Sequence, residues 1–349
     1  MRALVKKSGS PGLVLMEAPT PEPGPRDVVI RVEKAGVCGT DLHIYEWDAW
    51  AKGRVKPGTV IGHEFMGRVA KIGDAVTSVA VGARVSGEGH IGCGSCYSCR
   101  TGDGHICSDL RIIGIDVDGC FADYVKIPEQ NVWALPDEVP DDVGAIFDPL
   151  GNAVHTVMRG VVSGRSVLVV GAGAIGLMIV GVARAAGAVD IAAADPNPLK
   201  RKLALQMGAD FVCDPGEPGF EARLRARTRG GRGYDIVLEA SGNPSGIQSG
   251  ISLLRSGGWA ALLGIPDREV SLDLARQFVF KGITIHGVTG RRMFATWYQV
   301  EDLLIHKRLD VRPVITHQLP LAEYERAFEL MRSGEAVKVI LDIEGGAHE

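Results

Sequence analysis

The chain has 349 residues, 46% hydrophobic and 23% charged; this is the make-up of a folded globular protein, and its length favours two domains over one core. The formal net charge of -4 argues against nucleic acid or another polyanion as the main partner. The opening "MRALVKKSGSPGLVLMEAP" lacks an apolar run of signal-peptide length, and the most apolar stretch, 166–188, is interrupted by Gly171, Gly173, Gly176, Gly181, Arg184 and Gly187. No leader and no membrane span are expected, so the expected location is the cytoplasm.

Up to about Asp148 the chain consists of short apolar runs broken by Gly and Pro. "DVVIRVEKAGV", "IGHEFMGRVAKIG" and "FADYVKIP" alternate or run in β-branched residues, as strands do, and no long helical period precedes Asp141. The texture then changes. "SVLVVGAGAIGLMIVGVARAAGA" reads as strand, glycine turn and helix, and "DIAAAD" as a second strand. A helix is expected from Pro198 to about Met207, with others at 221–228 and 245–254. "FVCD", "YDIVLEA", "WAALLG" and "ITIHGV" supply further strands. Strands alternating with helices predict a doubly wound parallel sheet. A mixed tail, helix "TWYQVEDLLIHK", strand "VITHQLPL", helix "AEYERAFELMRSG" and strand "AVKVILDI", is expected to return to the first domain. The expected division is 1–151 with 296–349 as a β-rich domain, and 152–295 as the α/β domain. Two chain crossings between domains would leave a cleft, a common place for ligands.

Gly171-Ala172-Gly173-Ala174-Ile175-Gly176 fits G-x-G-x-x-G directly after a strand and at the opening of a helix, the context that gives the pattern meaning. Gly171 allows the tight turn, Gly173 the approach of a pyrophosphate, and Gly176 close helix–strand packing, with the phosphates over the helix N-terminus. Asp195 closes the next strand, where a carboxylate can bind both ribose hydroxyls and repel the extra phosphate of NADP; NAD is the expected cofactor. The alternative is a structural glycine turn with a helix-capping Asp. Arg201 either contacts the adenosine ribose or is a solvated helix-surface residue.

Seven cysteines are present, and Cys93, Cys96, Cys99 and Cys107 form C-x2-C-x2-C-x7-C. Four thiolates in one short lobe, 90–110, suit a closed tetrahedral zinc site with a structural role. A ferredoxin-type cluster has a shorter last gap followed by Pro, whereas Ser108 follows here. Cys38, His63, Glu64 and Asp148 are the right donor types for a second, catalytic zinc. They are scattered, and the residues alone do not join them.

"GVCGTDLH", "GHEFMGRV", the four-cysteine lobe and "GAGAIG" occur in the order and separation of the medium-chain zinc alcohol dehydrogenases, which the chain resembles over essentially its whole length. "HIYEWDAWA", "GEGHIGCG", "FDPLGNAVHT" and "GRRMFATWY" resemble the threonine 3-dehydrogenase subgroup. The resemblance implies a GroES-like catalytic domain plus a Rossmann NAD-binding domain, with one catalytic and one structural zinc per chain. It also implies NAD-linked oxidation of L-threonine to 2-amino-3-oxobutanoate in a homotetramer, with edge strands near 283–288 paired between subunits. Cys38 and His63 would be catalytic zinc ligands, with Glu64 able to enter or leave the shell. Asp148 takes the third-ligand place, which in threonine and polyol relatives is commonly Glu; one methylene shorter, it leaves room for water or Glu64 to complete the shell. Thr40 and His43 resemble the proton relay, against turn capping and a solvated His as the plain alternative. His90 resembles a substrate-pocket residue, or is a loop histidine. Leu263 and Ile265 lie beside the cofactor in the family, or pack in the core. Trp47, Asp48 and Trp50 close the substrate pocket or belong to the core. The competing functions are a polyol or 2,3-butanediol dehydrogenase of the same fold, and a non-catalytic zinc-binding relative.

Overall fold

The computed structural model describes residues 1–343; the end of the first domain as drawn from sequence, 344–349, lies outside the described residues. Two compact units emerge. One comprises Met1–Asp148, Arg292–Trp297 and the chain from Ile315 onward; the other comprises Pro149–Arg291 and Tyr298–Val314. Among the described residues no helix is long and apolar enough to cross a membrane.

The first unit is built on a seven-stranded sheet. Its order runs Ile315–Pro320, Lys338–Asp342, Asp27–Val37, Glu64–Ile72, Arg84–Gly87, Val132–Ala134, and Tyr124–Pro128 also pairs with Asp27–Val37. The central strand Asp27–Val37 alternates β-branched residues, and Val28, Ile30, Val32, Ala35 and Val37 join one buried cluster with Phe65, Phe121 and Leu341. Lys338–Asp342 pairs antiparallel with it on one side and Glu64–Ile72 on the other. Three distant stretches of chain therefore end side by side. A helix of eight residues, Gly39–Glu46, follows the central strand at once.

The second unit holds six parallel strands in the order Phe211–Cys213, Asp190–Ala194, Ser166–Val170, Tyr234–Glu239, Leu254–Leu262, Thr284–Gly287. This is the doubly wound order, reversing direction between Ser166–Val170 and Tyr234–Glu239; ligands bind outside the carboxyl ends of strands at such a reversal. The helices expected from sequence appear as Ala174–Ala185, Pro198–Gln206, Phe220–Arg227 and Pro244–Leu253. Two of them start on Asn-Pro: Asn197 accepts from Leu199 N–H and Lys200 N–H, and Asn243 from Ser245 N–H and Gly246 N–H, with Pro at the first turn where no N–H is missed.

Two boundaries differ from the sequence reading. The division expected near Asn152 falls inside a helix, Phe147–Val157, because buried apolar residues continue through Leu150, Ala153, Val154 and Val157 without a break. Residues 298–314, expected with the first domain, belong to the second unit. Leu309, Val311 and Val314 are buried there, and Leu309 lies against the helix Ala174–Ala185 at Gly181, where an added Cβ would come within 2.7 Å of it.

Candidate metal centre and dinucleotide site

Cys38 is the N-cap of the helix Gly39–Glu46 and His63 precedes the strand Glu64–Ile72. Their ligand atoms and a carboxylate oxygen of Glu64 all lie within 4.8 Å of one another. Asp148, in the first turn of Phe147–Val157, is buried, and its charge bears on Glu64, but it is not in that set. Glu64 stands beside Cys38 and His63 because it starts a strand paired with the one that ends at Val37.

Asp41, unremarked in the sequence, is fully buried on the same helix. One oxygen accepts the Cys38 backbone N–H at 2.8 Å, and the other faces His63 Nδ1 at 3.5 Å. Among the described residues Asp41 Oδ1 and His63 Nδ1 have no other hydrogen-bond partner. A metal-bound histidine commonly turns its second nitrogen to a carboxylate in this way. Burial pulls the His63 pKa down, but Asp41 and the Cys38 thiol outweigh it and hold the imidazole well above its ordinary value. A thiol, an imidazole and carboxylates buried together form a donor set that suits zinc, and Cys38, His63 and Glu64 would hold it.

Glu64 has a second commitment. Lys338, nearly as buried, donates to both of its oxygens at 2.8 and 3.0 Å and to the Val37 carbonyl at 2.9 Å. Burial raises the Glu64 pKa, and Lys338 opposes that rise. Removing one partner of such a buried pair costs about 3–5 kcal/mol.

The relay residues share the helix. Thr40 Oγ1 lies 3.8 Å from Cys38 Sγ, and His43, one turn on, is exposed with Nδ1 2.7 Å from Asp48 Oδ2. Burial would raise the Asp48 pKa, but the Ala51 N–H and His43 bring it below the usual value. Trp47 is a core residue lying under Lys6, whose Nζ is 4.5 Å from the ring centroid; Trp50 is exposed, its ring edge-on to His43. His90 does not stand alone in a loop. Fully buried Glu88 accepts its backbone N–H at 2.8 Å and lies 3.1 Å from its Nδ1, while the other Glu88 oxygen accepts the Trp297 indole N–H at 2.8 Å. A carboxylate at Nδ1 selects the tautomer protonated there and leaves Nε2 as an acceptor.

Cys93, Cys96, Cys99 and Cys107 bring their sulfurs within 4.8 Å of one another. Backbone N–H groups of Cys93 and Asp109 point at Cys107 Sγ at 3.3 Å, and that of Cys96 at Cys93 Sγ at 3.4 Å. The Cys99 and Ser108 amides draw the Cys96 thiol down to about 6, whereas burial drives Cys99 up to about 12. Four crowded sulfurs resist ionising together without a cation, and sulfur-only donors with no open position fit a structural zinc.

In the second unit, Gly171 has φ +86°, and a Cβ on Gly176 would overlap the Gly171 carbonyl oxygen. Gly173 caps the helix Ala174–Ala185 without a side chain, and the space around its missing Cβ is open. A cavity of about 690 Å³ is lined by Gly171, Gly173, Asp195, Asn197 and Ser241 among others, with the helix N–H groups available to an anion. Asp195 is buried and accepts the Ala172 and Asn197 N–H groups at 2.8 Å each, so it ties the turn while lone pairs remain for ribose. The cap is Asn197, not Asp195. Arg201 donates to the Asp195 and Pro196 carbonyls and to Asp214, which ties it to the end of the strand that carries Asp195. Ile175 is half-buried on the helix. Leu263 donates its N–H to Glu239 O at 2.9 Å, and Ile265 is 91% exposed, which rules out core packing for it.

The alcohol dehydrogenase GroES-like domain model matches residues 24–137, and the zinc-binding dehydrogenase model residues 174–306. The L-threonine 3-dehydrogenase of Bacillus subtilis strain 168 is 48% identical over 98% of this chain and 98% of its own. The solved alcohol dehydrogenase of Thermus sp. ATN1 superposes with a TM-score of 0.90 at 30% identity, covering 99% of this chain and 100% of that one. An alcohol dehydrogenase of Escherichia coli CFT073 in complex with NADH gives a TM-score of 0.90 at 26% identity, covering 98% and 99%.

Proposed function

Since the chain belongs to the medium-chain zinc-dependent alcohol dehydrogenases, we propose that it oxidises L-threonine at its hydroxyl carbon with NAD as hydride acceptor, giving 2-amino-3-oxobutanoate and NADH. The observation that carries the reading is the buried cluster of Cys38, His63 and Glu64, in a chain similar end to end to L-threonine 3-dehydrogenases. Zinc at that cluster would supply a Lewis acid that lowers the pKa of an alcohol. Asp41 orients His63. Thr40, beside Cys38, relays the hydroxyl proton, accepting it as it gives its own onward through the cofactor ribose; His43, its ring held by Asp48, takes up the relayed proton and passes one to solvent. His90, set by Glu88, is assigned to the substrate pocket with Nε2 as acceptor. The four-cysteine lobe is assigned a structural zinc.

Steady-state NADH formation tests the substrate. L-threonine should have a higher kcat/KM than sorbitol or 2,3-butanediol; a higher value for sorbitol would refute the assignment. NAD is assigned over NADP because Asp195 lies on the cavity wall. Asp195→Gly should narrow the NAD over NADP ratio of kcat/KM by about tenfold, the worth of one hydrogen bond to a charged group. An unchanged ratio would count against the role. A cytoplasmic homotetramer is the assigned form; in support, Thr284–Gly287 ends the six-stranded sheet with one side open to pair with a second subunit.

A further inference from the structure

The strand Tyr234–Glu239 stands next to Ser166–Val170 at the reversal of the six-stranded sheet. It ends on a fully buried carboxylate that has no part in the proposed reaction. Glu239 Oε1 accepts the Ser241 N–H at 2.8 Å, the Gly242 N–H at 3.0 Å and the Ser241 hydroxyl. The bonding continues outward. Ser241 Oγ accepts the Asn243 N–H at 3.0 Å, and Asn243 Oδ1 accepts the Ser245 and Gly246 N–H groups at 3.0 and 3.3 Å. One buried carboxylate thus anchors a run of side-chain-to-backbone bonds from the strand end to the first turn of the helix Pro244–Leu253. Ser241, Asn243, Ser245 and Gly246 of that run line the cavity that also holds Asp195, and Glu239 lies buried behind them.

The carboxylate is also boxed in. The Glu239 main-chain carbonyl accepts the Leu263 N–H at 2.9 Å, and the turn 263–265 closes over the side chain. A Cβ on Gly264 would come within 2.7 Å of Glu239 Oε2 and 2.1 Å of Gly242 N. Oε2, sealed there, has no hydrogen-bond partner among the described residues. Burial pushes the Glu239 carboxyl above its ordinary value, against the opposing pull of the Ser241 and Gly242 donors. Charge is therefore unfavourable at this position, and what the fold uses is the reach of one oxygen to three donors. Resting on the dinucleotide-site reading above, we propose that Glu239 is a positioning residue for the cofactor. It fixes the 240–246 wall of the cavity against which the adenosine end binds, and it does so through the reach of Oε1.

Glu239→Asp and Glu239→Gln separate reach from charge. Aspartate keeps the charge but is one methylene too short to meet the Ser241 and Gly242 donors, whereas the glutamine amide oxygen can accept all three. ADP, which lacks the nicotinamide nucleoside, and NAD would each be titrated into both variants by calorimetry, with kcat followed at saturating NAD. In Glu239→Asp both ligands should bind about tenfold more weakly, the scale of one buried hydrogen bond lost. Its kcat should hold, because the loss falls on binding shared by ground and transition states. Glu239→Gln should bind both ligands within about threefold of the parent, since a neutral oxygen still accepts. A role confined to stability would lower the melting temperature of Glu239→Asp and leave both affinities at parent values, which overturns the inference. Weaker NAD with unchanged ADP, or a larger loss in Glu239→Gln than in Glu239→Asp, also overturns it. Should Glu239→Asp not fold, Gly264→Ala decides. Its added carbon presses the turn 263–265 against Gly242 and Oε2 and should weaken ADP and NAD together; parent affinity for both overturns the inference. A parent protein that binds neither ADP nor NAD overturns the dinucleotide-site reading, and the inference with it.

Discussion

Cys38→Ser is expected to abolish turnover while NAD still binds. The thiol is the sulfur donor of the cluster, presented from a helix N-cap whose backbone is fixed by Asp41. Serine keeps the cap but offers a poor donor for zinc, whose Lewis acidity contributes several kcal/mol to such reactions; losing about 4 kcal/mol corresponds to roughly a thousandfold in rate. The residues around the dinucleotide cavity all lie between Leu168 and Leu253, remote in sequence from position 38, so NAD binding measured by calorimetry should persist. Bound zinc should fall from two equivalents to one. Normal activity in this variant would refute Cys38 as a ligand and remove the basis for the proposed chemistry.

Gly176→Ala should weaken NAD binding and lower the melting temperature together. Its Cβ would overlap the carbonyl oxygen of Gly171, which sits in a left-handed turn where an added Cβ would itself come within 2.7 Å of Ser241. The helix must then lift from the strand. Overpacking of one methyl costs about 1–3 kcal/mol, or about ten- to a hundredfold in affinity if it is felt at the ligand. Gly173→Ala is the informative partner, because among the described residues, its own neighbours along the chain aside, nothing stands within 4 Å of the added carbon. That variant should keep the parent melting temperature and still bind NAD more weakly, since the methyl would meet the pyrophosphate. Parent affinity in both variants would mean that the dinucleotide lies elsewhere.

Local patterns carried the second unit almost entirely. The strand–glycine–helix run and the Asn-Pro helix starts are contiguous signals, and the helices appear within a residue or two of their expected places. The four cysteines lie within fifteen positions, so one lobe had to bring them together. The helix Gly39–Glu46 gave no such signal. Its apolar residues do not gather on one face, only Asp41 and Ile44 are buried, and its role is to present Cys38, Thr40 and His43. Asp41 was missed for the same reason. Glu88 and Trp297, 209 residues apart, meet only in the folded chain, and neither carries a motif that would have paired them.

The residue types and their local spacing determined, without coordinates, two domains, a glycine turn made for a dinucleotide, a sulfur lobe made for a metal, and the kinds of donor at a second metal site. Tertiary structure decided which donors meet. Antiparallel pairing on both sides of Asp27–Val37 delivers Cys38, Glu64 and Lys338 to one end of the sheet. Strand register is set by the burial of whole faces, because a slip of one residue would turn every side chain to the wrong side. That choice is made by the core, and no short stretch of sequence contains it.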